Sequence, residues 1–209
     1  MKAVGTFKYN YPVMILVHFT AGRFENGAAN AYSTIDGGIK NSYNYMCIAN
    51  EGTVVQASPL NKWGYHAGES SWSKYLPKWI SGSVSDESVG IEMNNAGKLE
   101  KTSDGGFKTW YGDYIPKENV RYVTEEEWGC PTGYYHKYTD AQEKALIDLC
   151  VWLIKNDPNG IMTADHIVGH HEVVGKLGIG RWRKNDPGGA LSMPMPKFRK
   201  LIAEKLRGG

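Results

Sequence analysis

Three features of the chain predict an α/β fold. An apolar run, Pro12-Val-Met-Ile-Leu-Val, ends in His18 and reads as a strand buried on both faces. Two β-prone runs, 42–49 and 53–57, flank Asn50-Glu51-Gly52, a hairpin turn signal. A capping box, Thr139-Asp-Ala-Gln142, opens an amphipathic helix with Leu146, Leu149, Cys150 and Leu153 on one face. A chain of 209 residues is long enough for one core, and a single domain over 1–209 is expected.

The other elements follow in order. After the first strand, Thr20-Ala-Gly22 turns the chain. Ala28, Ala31, Tyr32 and Ile35 predict a helix over about 27–36, with Gly37-Gly38 ending it as a C-cap would. In the hairpin, Tyr43, Tyr45 and Cys47 share a face. A long loop over 58–86 carries Trp63, His66, Trp72, Tyr75 and Trp79, and its length argues for a functional role. Ser88–Met93 reads as a short strand. Its alternation turns Val89 and Ile91 to the core and Gly90 and Glu92 to the other face, where a glycine lets a neighbour approach closely.

Residues 98–136 are polar and dotted with aromatics, without a clear period. They read as an insertion packed over the sheet near a cleft, or equally as a satellite hydrophobic cluster. Asp157-Pro-Asn-Gly160 stops the capped helix. A short apolar pair within 165–169 predicts a strand delivering His170, and Phe198, Leu201, Ile202 and Lys205 suggest a closing helix. No repeat and no appended domain is evident.

Composition narrows the class. Hydrophobic residues make up 41% and charged residues 22%, ordinary for a soluble protein. A net charge of +2 gives no argument for a nucleic-acid partner. No run reaches the roughly 18 apolar residues of a membrane span. The start of the chain, Met1-Lys-Ala-Val-Gly-Thr-Phe-Lys, has no apolar signal region. Three cysteines, Cys47, Cys130 and Cys150, do not form a disulfide framework, and together these features suggest folding in the cytosol. The 7 tryptophans and 13 tyrosines fit an aromatic core or a sugar- or peptide-binding cleft.

The stretch from Gly169 to Gly189 concentrates the chemistry. His170 and Asp186 suit a borderline cation such as zinc. Lys184 lies two residues before Asp186, so in an extended backbone both project to one side. A metal beside a fixed positive charge suits a reaction that builds negative charge on oxygen. The third ligand candidate is His18, delivered by its strand to the edge of the sheet.

Five blocks now stand in order: His18-Phe-Thr-Ala-Gly, His66-Ala-Gly, Ser88-Val-Gly-Ile-Glu92, Gly169-His-His-Glu and Arg183-Lys-Asn-Asp186-Pro-Gly. Over about residues 12 to 190 they resemble the zinc-dependent N-acetylmuramoyl-L-alanine amidases of type 2, the family that includes peptidoglycan recognition proteins. The resemblance implies a single mixed β-sheet flanked by helices, with the 98–136 insertion near the cleft. It implies zinc on His18, His170 and Asp186, with the Gly-His-x-acid frame selecting His170 over His171. Glu92 would be the general base and Lys184 the oxyanion stabiliser. A cleft-lining tyrosine falls at Tyr43 or Tyr45, or the lining residue is Asn44, the register being ambiguous by one. His66 is either a loop histidine satisfied by backbone or a cleft residue, and the resemblance favours a supporting role. Glu172 would be a salt-bridge partner or sit behind the ligands. Arg181, Trp182 and Arg183 fit contacts to acidic groups or a basic surface loop, and His136 and His166 have no role.

The implied reaction is hydrolysis of the amide between N-acetylmuramic acid and L-alanine, by a monomer acting on peptidoglycan. Without an export signal, the enzyme would accumulate in the cytoplasm, as a phage endolysin does before release to the wall. Two alternatives remain: a cytosolic amidase for soluble muropeptides, and a recognition module that binds without cutting.

Overall fold

The computed structural model describes residues 4–43, 45–56, 58–71, 83–176 and 178–208. Asn44, Trp72, Tyr75 and Trp79, which carry sequence expectations, lie outside them. The elements run β1 (Gly5–Thr6), β2 (Met14–Phe19), α1 (Ala28–Lys40), β3 (Tyr45–Ile48), β4 (Val54–Gln56), β5 (Lys62–Trp63), α2 (Val84–Glu87) and β6 (Ser88–Met93). Then come β7 (Lys98–Lys101), β8 (Phe107–Lys108), β9 (Val120–Val123), α3 (Glu125–Trp128), β10 (Gly133–His136), α4 (Asp140–Lys155), β11 (Ile167–Gly169), α5 (His170–Val174) and α6 (Met195–Gly208).

The centre is a five-stranded mixed sheet in the order β11-β2-β6-β3-β4, as an α/β fold requires. The first four strands are mutually parallel, and β4 joins by the hairpin, antiparallel to β3. β2 is buried along its whole length, which explains its unbroken apolar run. Alternation divides its side chains. Ile15, Val17 and Phe19 join the main core with Leu146, Cys150 and Leu153 of α4 and Phe198 and Ile202 of α6. Met14 and Leu16 turn the other way, with Val84, Val168, Val173 and Val174. His18 therefore belongs to the face away from α4 and α6. β6 divides likewise, with Val89, Ile91 and Met93 in the main core and Gly90 and Glu92 opposite.

The helix α1 covers part of that second face, packing Ala31 and Ile35 on Cys47, Ala49 and Val55. It does not stop at Gly37-Gly38 as expected from sequence but runs on to Lys40. The reason is packing: a Cβ at Gly38 would lie 2.5 Å from the Tyr45 hydroxyl oxygen. Glycine there serves close approach between helix and sheet, not termination. The capped helix α4 has its complete capping box on Thr139 and Gln142.

The 98–136 region has the order β8-β7-β10-β9, an antiparallel sheet of four strands. Its Leu99, Phe107 and Ile115 cluster with Ala96 just before it, while Val123 and Tyr135 join the main core. Strands of two to four residues are too short to show a period, so the sequence hid them. The region thus has a cluster of its own and a share in the main core, and it also reaches the loop after β2. The Trp110 indole N–H donates to the Ala21 carbonyl at 2.5 Å, and the Tyr111 hydroxyl to that of Gly22 at 3.1 Å. The stretch expected as one long loop, 58–86, contains β5 and the start of α2. All three cysteines are buried free thiols.

Candidate active site

β2 and β6 run side by side in parallel register, His18 opposite Glu92. Residues paired in this way project to one face, so the imidazole and the carboxylate stand together at the strands' C-terminal ends. β11 flanks β2 on its other edge, with Gly169 opposite Val17. His170 follows at once. It is the first residue of α5 rather than the end of a strand, so a helical turn of roughly 100° separates it from His171, not strand alternation. His171 points away from the site. Its backbone N–H and its Nδ1–H both donate to the Asp186 carbonyl, at 2.8 and 3.0 Å, and so pin Asp186.

His18, His170 and Asp186 converge in a buried triangle. His18 Nδ1 lies 3.0 Å from His170 Nδ1 and 3.0 Å from Asp186 Oδ2, and His170 Nδ1 lies 2.9 Å from the same oxygen. Among the described residues these three form the one group of metal-ligating side chains close enough to share an ion. The outer nitrogens are engaged elsewhere: His18 Nε2 with His66 Nδ1 at 3.1 Å, His170 Nε2 with the Ala67 carbonyl at 2.9 Å. Burial, aided by the neighbouring His170 and opposed by Asp186, drops the His18 pKa to about 4. For Asp186, burial acts to raise the pKa, but His170 and His18 outweigh it and hold the carboxyl well below its usual range. Two imidazole nitrogens and a carboxylate oxygen converging on one point are a donor set for a borderline cation. Edges near 3 Å suit donors held about 2.0–2.2 Å from a shared zinc-sized ion. The residues present fit a metal.

Glu92 stands beside this triangle. Its Oε2 is enclosed and has no hydrogen-bond partner among the described residues. Burial, aided by Asp186 and opposed by Lys184, lifts its pKa to about 8. An open cleft of about 310 Å³ joins Glu92 and His170 to Tyr43, Tyr45, Tyr65, His66, Arg183 and Lys184. It adjoins a polar hollow of about 370 Å³, which shares Tyr45 and Glu92 and is walled by Arg23, Asn30, Ser33 and Thr34. A hollow of about 420 Å³ between α3, α5 and α6 reaches His171 but none of the three converging residues.

Each residue singled out from sequence can now be placed. His18, His170 and Asp186 meet, and Glu92 and Lys184 face the same cleft. Tyr43 and Tyr45 both line it, with the Tyr45 hydroxyl tied to the Thr34 carbonyl at 3.1 Å. His66 touches His18. Glu172 is a salt-bridge partner, held at 2.9 and 3.0 Å by Arg199. Arg181 pairs with Glu69 on the surface at 2.8 Å, whereas Arg183 donates to the carbonyls of Ala67 and Glu69. His136 and His166 accept backbone N–H groups away from the site. Sequence reasoning missed Tyr65 and Tyr138, whose buried hydroxyl donates to the His18 carbonyl at 3.1 Å. Neither sits in a motif that marks it.

Similar structures share this architecture. One is the N-acetylmuramyl-L-alanine amidase AmiD from E. coli, in complex with the substrate anhydro-N-acetylmuramic acid-L-Ala-D-gamma-Glu-L-Lys. It is 19% identical with a TM-score of 0.56, over 96% of this chain and 60% of that one. A second is AmpDh3 from Pseudomonas aeruginosa, 18% identical with a TM-score of 0.55, over 97% of this chain and 63% of that one. A third is AmpD, 20% identical with a TM-score of 0.51, over 91% and 84%. The chain thus spans about three fifths of the length of the first two, and at these identities the likeness is one of fold. No curated protein matches the sequence. The family model for N-acetylmuramoyl-L-alanine amidase matches residues 8–189, a span that holds every residue of the site, and the chain belongs to that family.

Proposed function

We propose that the chain is a zinc-dependent hydrolase that cuts the amide between the lactyl group of N-acetylmuramic acid and L-alanine in peptidoglycan. The carrying observation is the buried triangle of two imidazole nitrogens and a carboxylate oxygen beside an unpartnered glutamate. Zinc on His18, His170 and Asp186 would keep a position open, polarise the amide carbonyl and activate water. The chain's own groups do the rest. Glu92, with its free enclosed oxygen, takes the proton from the attacking water and passes it to the leaving amine of L-alanine. Lys184 offsets the charge that grows on the carbonyl oxygen. Tyr43, Tyr45 and Tyr65 offer aromatic surface to sugar or peptide.

The ligand named for the E. coli relative contains this muramic acid–L-alanine junction, which supports the choice of bond. The cleft and the second hollow share Tyr45 and Glu92 in their linings, an arrangement that favours a polymer. Intact wall is therefore the proposed substrate, and bacterial lysis of the endolysin kind the proposed outcome, after accumulation in the cytoplasm. Because one chain supplies every group, a monomer suffices.

Mass spectrometry of digested peptidoglycan tests the reading. Released peptides should carry a free N-terminal L-alanine. Cleavage at any other bond, or binding with no cleavage by the zinc-loaded protein, overturns it. Loss of wall turbidity, set against release from anhydro-muropeptides, decides between polymer and soluble fragments.

A further inference from the structure

We infer that His66 and Ala67 act together as the element that decides which ring nitrogen of His18 and of His170 carries the proton, and so holds both inner nitrogens ready for a cation. This rests on reading the triangle as a metal site.

The chain of donors starts at β6. The Ser88 carbonyl oxygen can only accept, and it lies 3.0 Å from His66 Nε2, so that nitrogen carries the hydrogen. The Ser88 hydroxyl donates to the Val84 carbonyl and is thereby an acceptor toward the same ring nitrogen at 3.4 Å. In the neutral His66 ring, Nδ1 then holds a lone pair. It faces His18 Nε2 at 3.1 Å, which must donate. Neutral His18 is left with its lone pair on Nδ1, inside the triangle. The next residue acts on the second ring. The Ala67 carbonyl accepts from His170 Nε2 at 2.9 Å, which in the neutral ring leaves the lone pair on Nδ1.

Adjacent residues of one segment thus fix both rings. The segment is itself held. The Ser85 hydroxyl oxygen accepts the backbone N–H groups of His66 and Ala67 at 3.3 and 3.1 Å, and the Arg183 guanidinium donates to the Ala67 carbonyl at 2.9 Å. Gly90 makes the arrangement possible. A Cβ there would stand 2.9 Å from His66 Nδ1 and 3.0 Å from its Cγ. Along β6, Ser88, Gly90 and Glu92 share one face, so a single strand anchors the His66 ring, makes room for it and presents the glutamate. His66 is a positioning residue, acting through His18.

The test has two arms. Nitrogen-15 NMR of histidine in the metal-free wild type reads the tautomers directly. The expected result is the Nε2–H tautomer in the neutral rings of His18, His66 and His170; the Nδ1–H tautomer at His18 or His170 overturns the inference. Zinc affinity, by competition with a chelator, is the second arm. His66→Phe keeps a ring but cannot accept from His18, and should weaken zinc binding by roughly 10–100-fold, the usual scale for a group that orients a metal ligand. Gly90→Ala, which pushes on the ring, should act in the same direction. His66→Gln can accept and donate at similar spacing and should recover most of the loss. His66→Phe and Gly90→Ala both binding within about threefold of wild type overturns the inference. Failure of the wild type to bind zinc overturns the metal reading instead, and the tautomers still decide this one.

Discussion

Glu92 is where the chemistry and the electrostatics of this chain meet. A carboxyl raised to about 8, against about 4.3 in an unfolded chain, is favoured in its protonated form by the fold. Such a group contributes stability that is full below the unfolded pKa and is lost as pH rises through the folded one. In melts of the metal-free protein from pH 5 to 9, the wild type should therefore lose stability relative to Glu92→Gln, and parallel curves would contradict this. With a cation held on His18, His170 and Asp186, the pKa of the Glu92 carboxyl would fall toward neutrality and the group could act as the base. Glu92→Gln keeps the shape without the base, and should retain zinc while losing at least about a hundredfold in hydrolysis. Lys184→Ala should also keep zinc and lose roughly 10²–10³ in kcat, the scale of one oxyanion donor, with a change confined to KM pointing to substrate binding instead.

Among elements, α1 shows what the sequence could and could not tell. Its helical spacing was legible from Ala28, Ala31 and Ile35, but its end was not, because a glycine pair signals a cap and a close contact equally well. The two glycines separate these meanings. A Cβ at Gly37 would meet nothing within 4 Å, whereas at Gly38 it would strike Tyr45. Gly37→Ala should stabilise the protein by about 0.5–1 kcal/mol through backbone entropy. Gly38→Ala should destabilise it despite the same gain, and thermal melts of both variants check the opposite signs. β2 and β6 were legible because burial on the sheet dictates their residues. The strands of 98–136 were not, since each is short and their pairing is set by contacts distant in sequence. The site was legible where a motif marks a residue, as at His18 and Asp186. The Ala67 carbonyl and the Ser85 hydroxyl leave no such mark, because backbone and small polar groups occur everywhere.

At the scale of the molecule, the site depends on α6 although no residue of α6 enters the cleft. Arg199 on α6 donates to both oxygens of Glu172, two residues after His170, and to the Ile167 carbonyl of β11 at 3.0 Å. The pair is nearly buried, the side chains 14% and 8% exposed. Removing one partner strands a buried charge, so Arg199→Met should cost about 3–5 kcal/mol, on the order of 10 °C in Tm. Arg199→Met with Glu172→Gln should recover part of that loss, and a single variant melting within about 1 °C of wild type would show the clamp to be unimportant. Behind all of this stands the claim that His18 and His170, delivered by the neighbouring parallel strands β2 and β11, and Asp186, pinned by His171, hold one metal. The most direct measurement is zinc per chain. Wild type should carry about one, with His18→Ala, His170→Ala and Asp186→Ala each near none. His171→Asn, whose amide can still donate to the Asp186 carbonyl, should keep its zinc, and full zinc in His170→Ala would contradict the account.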